Sequence, residues 1–408
     1  MKCRHCGSQL TVSFLDLGCA PPSNSYLTKE LLHAPEKWYP LRVMVCTGCW
    51  LVQTEDFADH KDLFSADYAY FSSFSDTWLQ HARRYVEEMV ERFTLGANSN
   101  VIEIAANDGY LLQYVRELGI PCLGIEPTTS TASAARAKDL EIIESFFGSR
   151  LAHQLHSAGR SADLMVANNV LAHVPDINDF IQGFTILLKE GGIATFEFPH
   201  LLQLVDGVKF DTVYHEHFSY LSLSALVGIF KLNGLYIFDV EELKTHGGSL
   251  RVFAQRVDTG TEPVAPRVEF ILAQEQAAGV MTIPFYRGFQ SRTEKIKNDL
   301  LVYLIKSKQI GNNVVAYGAA AKGNTILNFA GIRSDLISFV VDRNPSKQGK
   351  YMPGSRIPIV DEKALKDFQP NLIIILPWNL SEEIELQLSY VREWGGRFLT
   401  AIPEIREW

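Results

Sequence analysis

Four proton-handling side chains stand consecutively at Tyr214, His215, Glu216 and His217, in a stretch that otherwise reads as apolar and aromatic. Imidazole titrates near ~6.5, a carboxyl near ~4.3 and a phenol near ~10, so modest shifts let one group accept a proton while its neighbour donates or orients. The run is therefore a candidate acid/base centre. A helix would set residues 214 and 217 on one face, whereas an extended segment would pair 215 with 217. His215 and His217 also have the spacing at which two imidazoles bind one catalytic metal, although no further ligands stand nearby in sequence.

Two tight cysteine pairs form a second chemical signal, Cys3 with Cys6 and Cys46 with Cys49. A C-x-x-C turn offers two thiolates to one ion, and two such knuckles complete a tetrahedral, closed shell, which makes structural rather than catalytic zinc the expected occupant. Gly7 and Gly48 are placed to let the backbone curl, and the long stretch between the pairs must hold a small fold of its own. Cys19 and Cys122 read as buried thiols.

The elements that must position these groups come from 408 residues, 47% of them hydrophobic and 21% charged, a balance that predicts two or three globular domains. A net charge of −9 with no basic block argues against nucleic acid, and no apolar run reaches the length of a membrane span, so a cytoplasmic protein is expected. Trp78, Leu79, Ala82, Tyr85, Val86, Met89, Val90 and Phe93 recur at helical spacing behind a Ser75 or Asp76 cap. Next, residues 100–112 read as a buried strand, a small-residue turn carrying Asn107, Asp108 and Gly109, and the first turn of a helix.

A second strand ends at Glu126, where a carboxylate can accept both ribose hydroxyls of a nucleoside, and a third ends at Asn168 and Asn169. The turn lacks a dinucleotide fingerprint. Glu103 followed by Asp108, Gly109 and then Glu126 instead resembles class I S-adenosylmethionine methyltransferases, with Ala105 in place of their first glycine. Alanine suits that place if its φ is negative.

Further on, residues 256–300 read as a mixed helical connector with Glu269, Glu275, Lys295 and Lys297 on solvated faces. Strand-like runs at 313–317, 337–342, 371–376 and 397–400 alternate with helical stretches and predict a parallel sheet. The Gly318 to Gly323 turn matches neither a dinucleotide nor an ATP loop, yet Lys322, at the start of a helix running from Asn324, could meet a diphosphate, with Asp342 and Arg343 as lesser candidates. The glycines of His246-Gly247-Gly248-Ser249-Leu250-Arg251 could likewise free amides for an anion beside Arg251, or simply turn into a strand.

The paired cysteines, Asp67-Tyr68-Ala69-Tyr70-Phe71-Ser72-Ser73, residues 103–109, Asn168-Asn169-Val170-Leu171-Ala172-His173, the 214–217 run and Gly318-Ala-Ala-Ala-Lys322-Gly323-Asn324-Thr325 stand in the order seen in sugar C-methyltransferases. The resemblance spans nearly the whole chain. It implies an α/β protein of three parts: a zinc-binding module (1–62), a central methyltransferase with a Rossmann-like doubly wound sheet (63–290), and a C-terminal Rossmann-like domain (291–408) that binds substrate. It further implies methylation at C-3 of a TDP- or GDP-linked 4-keto-deoxyhexose. Tyr214, Glu216 and His217 align with the family's proton-transfer cluster, and Asn169 and His173 with residues beside the donor methyl. The donor site it implies draws on Glu103, Asn107, Asp108, Gly109, Glu126, Asn168, Tyr68 and Ser72; Lys322, Asn324, His215 and Arg251 face the substrate.

The chemistry agrees with that resemblance, because carbon is a poor nucleophile unless an adjacent carbonyl lets its proton leave as an enolate. His217, or His215 in its place, is the expected base, with Glu216 holding the imidazole tautomer or steadying the imidazolium, and Tyr214, His173 or Asn169 donating to the oxyanion. A monomer suffices for this reading. The alternative is an NAD-linked sugar-nucleotide oxidoreductase that uses the C-terminal sheet.

Overall fold

The computed structural model describes residues 1–57 and 71–408; Tyr68 and the expected boundary between residues 62 and 63 lie outside the described residues. Apolar runs such as Val101–Ile104 and Cys122–Ile125 suit strands covered on both faces, and both lie inside a seven-stranded sheet. Across the sheet the order is Leu235–Leu243, Ser249–Arg256, Leu188–Pro199, Ala162–Asn168, Val101–Ile104, Cys122–Ile125 and Ile142–Ile143. The five strands from Leu188–Pro199 onward are parallel, and the first two are antiparallel additions. Strand order reverses between Val101–Ile104 and Ala162–Asn168, so a ligand crevice opens at their carboxyl ends. Helix Asp76–Arg92 covers one face; Ser75 Oγ caps it by accepting from the Trp78 amide at 3.2 Å, and Ala82, Tyr85, Val86 and Met89 are its buried side chains.

The N-terminal sheet is not self-contained. Val12–Ala20, Tyr39–Val45 and Val52–Thr54 are joined by Ser219–Tyr220, the strand that directly follows the 214–217 run, with Val52 opposite Tyr220 and Gln53 opposite Ser219. Cys3, Leu10, Cys46 and Leu51 share one apolar cluster with Phe180, Leu221 and Leu226 of the central region. A register shift between Asp16 and Cys19 turns Cys19 out to solvent, contrary to the expected buried thiol, and Cys122 is half-buried.

The C-terminal sheet runs Ile359–Val360, Val340–Val341, Val314–Tyr317, Leu372–Ile375, Arg397–Thr400 and Arg406–Glu407, parallel except for the last strand. Residues 21–36 lean on it: Leu27 bridges Tyr351, and the Glu36 carboxylate accepts from the Gly354 amide at 2.6 Å. In the connector, Glu275 is fully buried rather than solvated. Its carboxylate meets His200 Nε2 and accepts from the Leu223 and Ser224 amides, each at 2.7 Å, so it anchors the amino end of helix Leu223–Leu232 where free N–H groups favour an anion. No helix among the described residues is long and apolar enough to cross a membrane.

Candidate active site

At the switch point, the turn after Val101–Ile104 uses left-handed backbone three times, with φ of +55° at Ala105, +50° at Asn107 and +76° at Gly109. The condition set for alanine at 105 is therefore not met. The turn keeps the shape a glycine would give it, at roughly 1–2 kcal/mol of strain from the Cβ. Gly109 has no such latitude, since a Cβ there would overlap Leu140.

The side chains around this crevice leave polar atoms unmet. Both Glu103 oxygens, Asp108 Oδ1 and both amide atoms of Asn168 and of Asn169 are buried without a hydrogen bond among the described residues. Burial pushes the Glu103 pKa well above the usual carboxylate range. Glu126 accepts from the Asn107 and Thr128 amides, both at 2.9 Å, which fixes its carboxylate at the strand end. Ser72 joins the site by donating its amide to Asn107 Oδ1 at 2.9 Å. Unpaired buried polar atoms are costly, and an amino-acid head group with a nucleoside offers the ammonium, carboxylate and hydroxyls that would satisfy them, so the residues present fit S-adenosylmethionine.

From Asn168 the chain leads in five residues to His173, the last residue of the short helix Leu171–His173. Its ring stands 4.6 Å from that of His217, edge to face. Residues 214–217 form a tight turn closed by the His217 amide on the Tyr214 carbonyl at 3.0 Å, and this brings the Tyr214 and His217 rings within 3.9 Å. His217 Nδ1 lies 2.8 Å from the Thr212 carbonyl, an acceptor only, so Nδ1 carries the proton and Nε2 the lone pair. Burial lowers the His217 pKa well below the usual imidazole value, and the neighbouring His173 adds to this.

Several expected roles change. Glu216 does not hold the His217 tautomer; Thr212 does. The Glu216 carboxylate instead accepts from Asn24 Nδ2 at 3.2 Å, its second oxygen is unmet, and burial pushes its pKa up to about 7. His173 Nδ1 donates to the Glu216 carbonyl at 2.8 Å and burial lowers its pKa to about 4, so near neutrality Nε2 carries a lone pair and cannot donate to an oxyanion. His215 points away from His217, its Nε2 3.2 Å from the Tyr39 carbonyl, and no shared metal site forms. Among the described residues the group placed to hold a metal is the four cysteines.

The expected anion contacts are also taken up. Arg251 is buried, ion-paired to Glu197 at 3.1 Å and Glu241 at 3.3 Å, and lies over the Tyr85 ring at 4.6 Å. The Gly248 amide is bonded to the Thr245 carbonyl. Asn324 donates to the Ser23 carbonyl at 3.0 Å and is fully buried. Helix Ala321–Phe329 begins before Asn324, so Lys322 lies in its first turn, where Nζ reaches Asn379 Oδ1 at 2.7 Å above the Trp378 ring at 4.5 Å. Burial lowers the Lys322 pKa to about 8, and its charge is felt at His217.

Sequence reasoning missed Asn24, Thr212, Asp211 and Trp378. Asp211 accepts from Trp378 Nε1 at 2.7 Å, its other oxygen is unmet, and burial raises its pKa to about 6. Trp378 follows the carboxyl end of parallel strand Leu372–Ile375, a position that could have flagged it.

In the cysteine cluster, the ligand atoms all lie within 4.8 Å of one another, with 3.5 Å between the sulfurs of Cys3 and Cys49 and of Cys6 and Cys46. A tetrahedron with Zn–S near ~2.3 Å has an edge of about 3.8 Å, so the four thiols fit zinc. Gly7 takes the left-handed turn with φ +74°, but in the second knuckle that role falls to Trp50 at +61° rather than Gly48, which instead gives close approach to the Cys6 and Cys46 sulfurs.

Three family models match in register with these parts: "Putative zinc binding domain" over residues 3–64, "Methyltransferase domain" over 78–240 and "C-methyltransferase C-terminal domain" over 244–403. C-methyltransferase NovU of Streptomyces niveus is 33% identical over 405 residues, covering 99% of this chain and 96% of NovU. Similar solved structures include magnesium protoporphyrin IX methyltransferase of Synechocystis PCC 6803 with bound SAM, 16% identical over 50% of this chain and 100% of that one, TM-score 0.36. The glycopeptide N-methyltransferase MtfA is 13% identical over 43% of this chain and 96% of that one, TM-score 0.34. With identity running nearly end to end along both this chain and NovU, and with the thiol cluster and donor crevice in place, the chain is an S-adenosylmethionine-dependent methyltransferase with a structural zinc centre and belongs to the sugar C-methyltransferase family.

Proposed function

We propose that the chain methylates C-3 of a nucleotide-linked 4-keto-deoxyhexose, TDP- or GDP-bound, through an enolate. The observation that carries this reading is the His217 imidazole, pinned at Nδ1 by the Thr212 carbonyl so that Nε2 presents a lone pair beside the segment leading from the donor crevice. In this reading Nε2 takes the C-3 proton, the C–H electron pair becomes the C-3–C-4 double bond, and the carbonyl π pair moves onto the C-4 oxygen, giving an enolate oxyanion. In the same reading Asn169, whose buried amide is unmet, and the Tyr214 hydroxyl donate to that oxygen, and the Lys322 cation supports the charge at longer range. When bound, S-adenosylmethionine supplies an electrophilic methyl on a sulfonium, held by Glu103, Asn107, Asp108, Gly109, Glu126, Asn168 and Ser72. His173 packs edge-on against His217 and fixes the plane of the ring. The proton stays on His217 until product leaves.

The test is incubation in heavy water with a TDP- or GDP-linked 4-keto-6-deoxyhexose and no methyl donor. Deuterium should enter at C-3 in the native chain, and His217→Ala should slow that exchange by about 10²–10⁴-fold. Exchange that survives the substitution would remove His217 from the role of base.

A further inference from the structure

Asp211 stands one residue before Thr212, whose carbonyl pins His217, on the short helix Phe210–Thr212. It is 1% exposed; Oδ2 accepts from Trp378 Nε1, and Oδ1 has no partner among the described residues. An unpaired buried carboxylate oxygen is unfavourable, so this one is set for a donor that the chain itself does not supply. Two cations act on it, and neither closes the gap. Lys209 Nζ donates to the Gly247 carbonyl, and Lys322 Nζ donates to Asn379 Oδ1 above the Trp378 ring. An ammonium has three N–H groups, so Lys322 keeps donors to give. Trp378 gathers the pair, its Nε1 edge on Asp211 and its face under Lys322 at 4.5 Å. Trp378, Lys322 and Asn379 are half-buried, so solvent reaches them above a closed carboxylate floor.

We infer that Asp211 and Lys322 together receive a ring hydroxyl of the sugar, at C-2 or C-3, an inference that rests on the keto-sugar reading proposed above. A hydroxyl both donates and accepts: its O–H fills Asp211 Oδ1 while its oxygen takes an N–H from Lys322. With its pKa at about 6, Asp211 is mostly ionised near neutrality and ready to accept. A protonated amine has no lone pair for Lys322 and is repelled by it, and a bare methylene leaves both groups unpaired. The location agrees, since the Lys322 charge is felt at His217 as well as at Asp211. In the reading above, the C-4 oxygen is held by Asn169 and Tyr214, C-1 carries the diphosphate and C-6 is a methyl. The oxygens on C-2 and C-3 are then the ones left to be recognised.

The experiment compares kcat/KM of the full zinc-loaded chain for a TDP- or GDP-linked 4-keto-6-deoxyhexose with both hydroxyls against its 2-deoxy and 3-deoxy counterparts. At least one deoxy compound should fall by about 100-fold or more in the native chain, which identifies the carbon that is recognised. Asp211→Asn, which can still accept from Trp378, and Lys322→Met, which keeps much of the side-chain length, should each shrink that preference to under about tenfold while S-adenosylhomocysteine affinity holds. The preference is a ratio between two substrates of one variant, so damage to the fold or to the base lowers both rates and leaves it unmoved. No preference in the native chain, a preference that survives in either variant, or better turnover of a sugar with an amine at that carbon would overturn the assignment and leave the keto-sugar reading standing. Ring-proton exchange in heavy water separates the two: if none of these sugars exchanges in the native chain, the keto-sugar reading fails and the hydroxyl site with it.

Discussion

At the level of single residues, the 214–217 turn sends consecutive side chains into different surroundings: His217 toward Thr212 and His173, Glu216 toward Asn24, His215 toward Tyr39 and Pro40. From the sequence, the residue types suggested acid/base chemistry. Their directions were not, because neither helical nor extended spacing describes a four-residue turn, and the acceptors that fix them come from residues remote in the chain or from a backbone carbonyl with no signature. The pKa shifts separate the two candidate bases. With His217 depressed below its usual value, kcat/KM should stay level as pH falls through 7 and decline only below about 6.5. A limb near pH 7 that disappears in Glu216→Gln would give the base role to Glu216, whose pKa is about 7. Stability supplies an independent check. A carboxyl raised from 4.5 to about 7 binds its proton more tightly folded than unfolded, so the fold loses stability as pH rises from about 4.5 to 7 and stays lower above that. Glu216→Gln should therefore raise Tm relative to the native chain more at pH 8 than at pH 5, by the equivalent of up to about 3 kcal/mol.

Elements tell a similar story. The parallel strands were readable because strands buried on both faces must be continuously apolar, as Val101–Ile104 and Leu372–Ile375 are. The two-residue strand Ser219–Tyr220 was not readable, since so short a segment has no periodicity and its partner at Val52 and Gln53 is remote in sequence. At the donor turn, Ala105→Gly should change stability by less than about 1 kcal/mol, because relief of left-handed strain is offset by added freedom in the unfolded chain. Gly109→Val should weaken S-adenosylhomocysteine binding in calorimetry by tenfold or more, since the overlap with Leu140 displaces the turn that carries Asn107 and Asp108. Helix Ala321–Phe329 reaches the segment before the 214–217 turn through Thr325, whose hydroxyl donates to the Val213 carbonyl at 2.8 Å. Thr325→Val should lower kcat severalfold with donor affinity unchanged; equal losses in both would mean the helix supports the whole fold rather than the turn.

For the molecule as a whole, the zinc site and His217, the proposed base, are linked by a short covalent and hydrogen-bonded route. Gln53 donates to Cys3 Sγ at 3.2 Å and pairs with Ser219, while the Thr54 amide donates to the Phe218 carbonyl at 3.1 Å and its hydroxyl to that of His217. Stripping the metal with a strong chelator should thus depress turnover and Tm together while S-adenosylhomocysteine still binds; turnover that survives chelation would show the two centres to be independent. The same shared sheet bears on how the chain is made. During synthesis, Val52–Thr54 emerges from the ribosome long before its last neighbour, and until then presents bare N–H and C=O groups to whatever strand it meets. A zinc module excised at residue 57 would carry that open edge permanently, so grafting it onto another enzyme would yield self-association instead of a portable metal-binding unit.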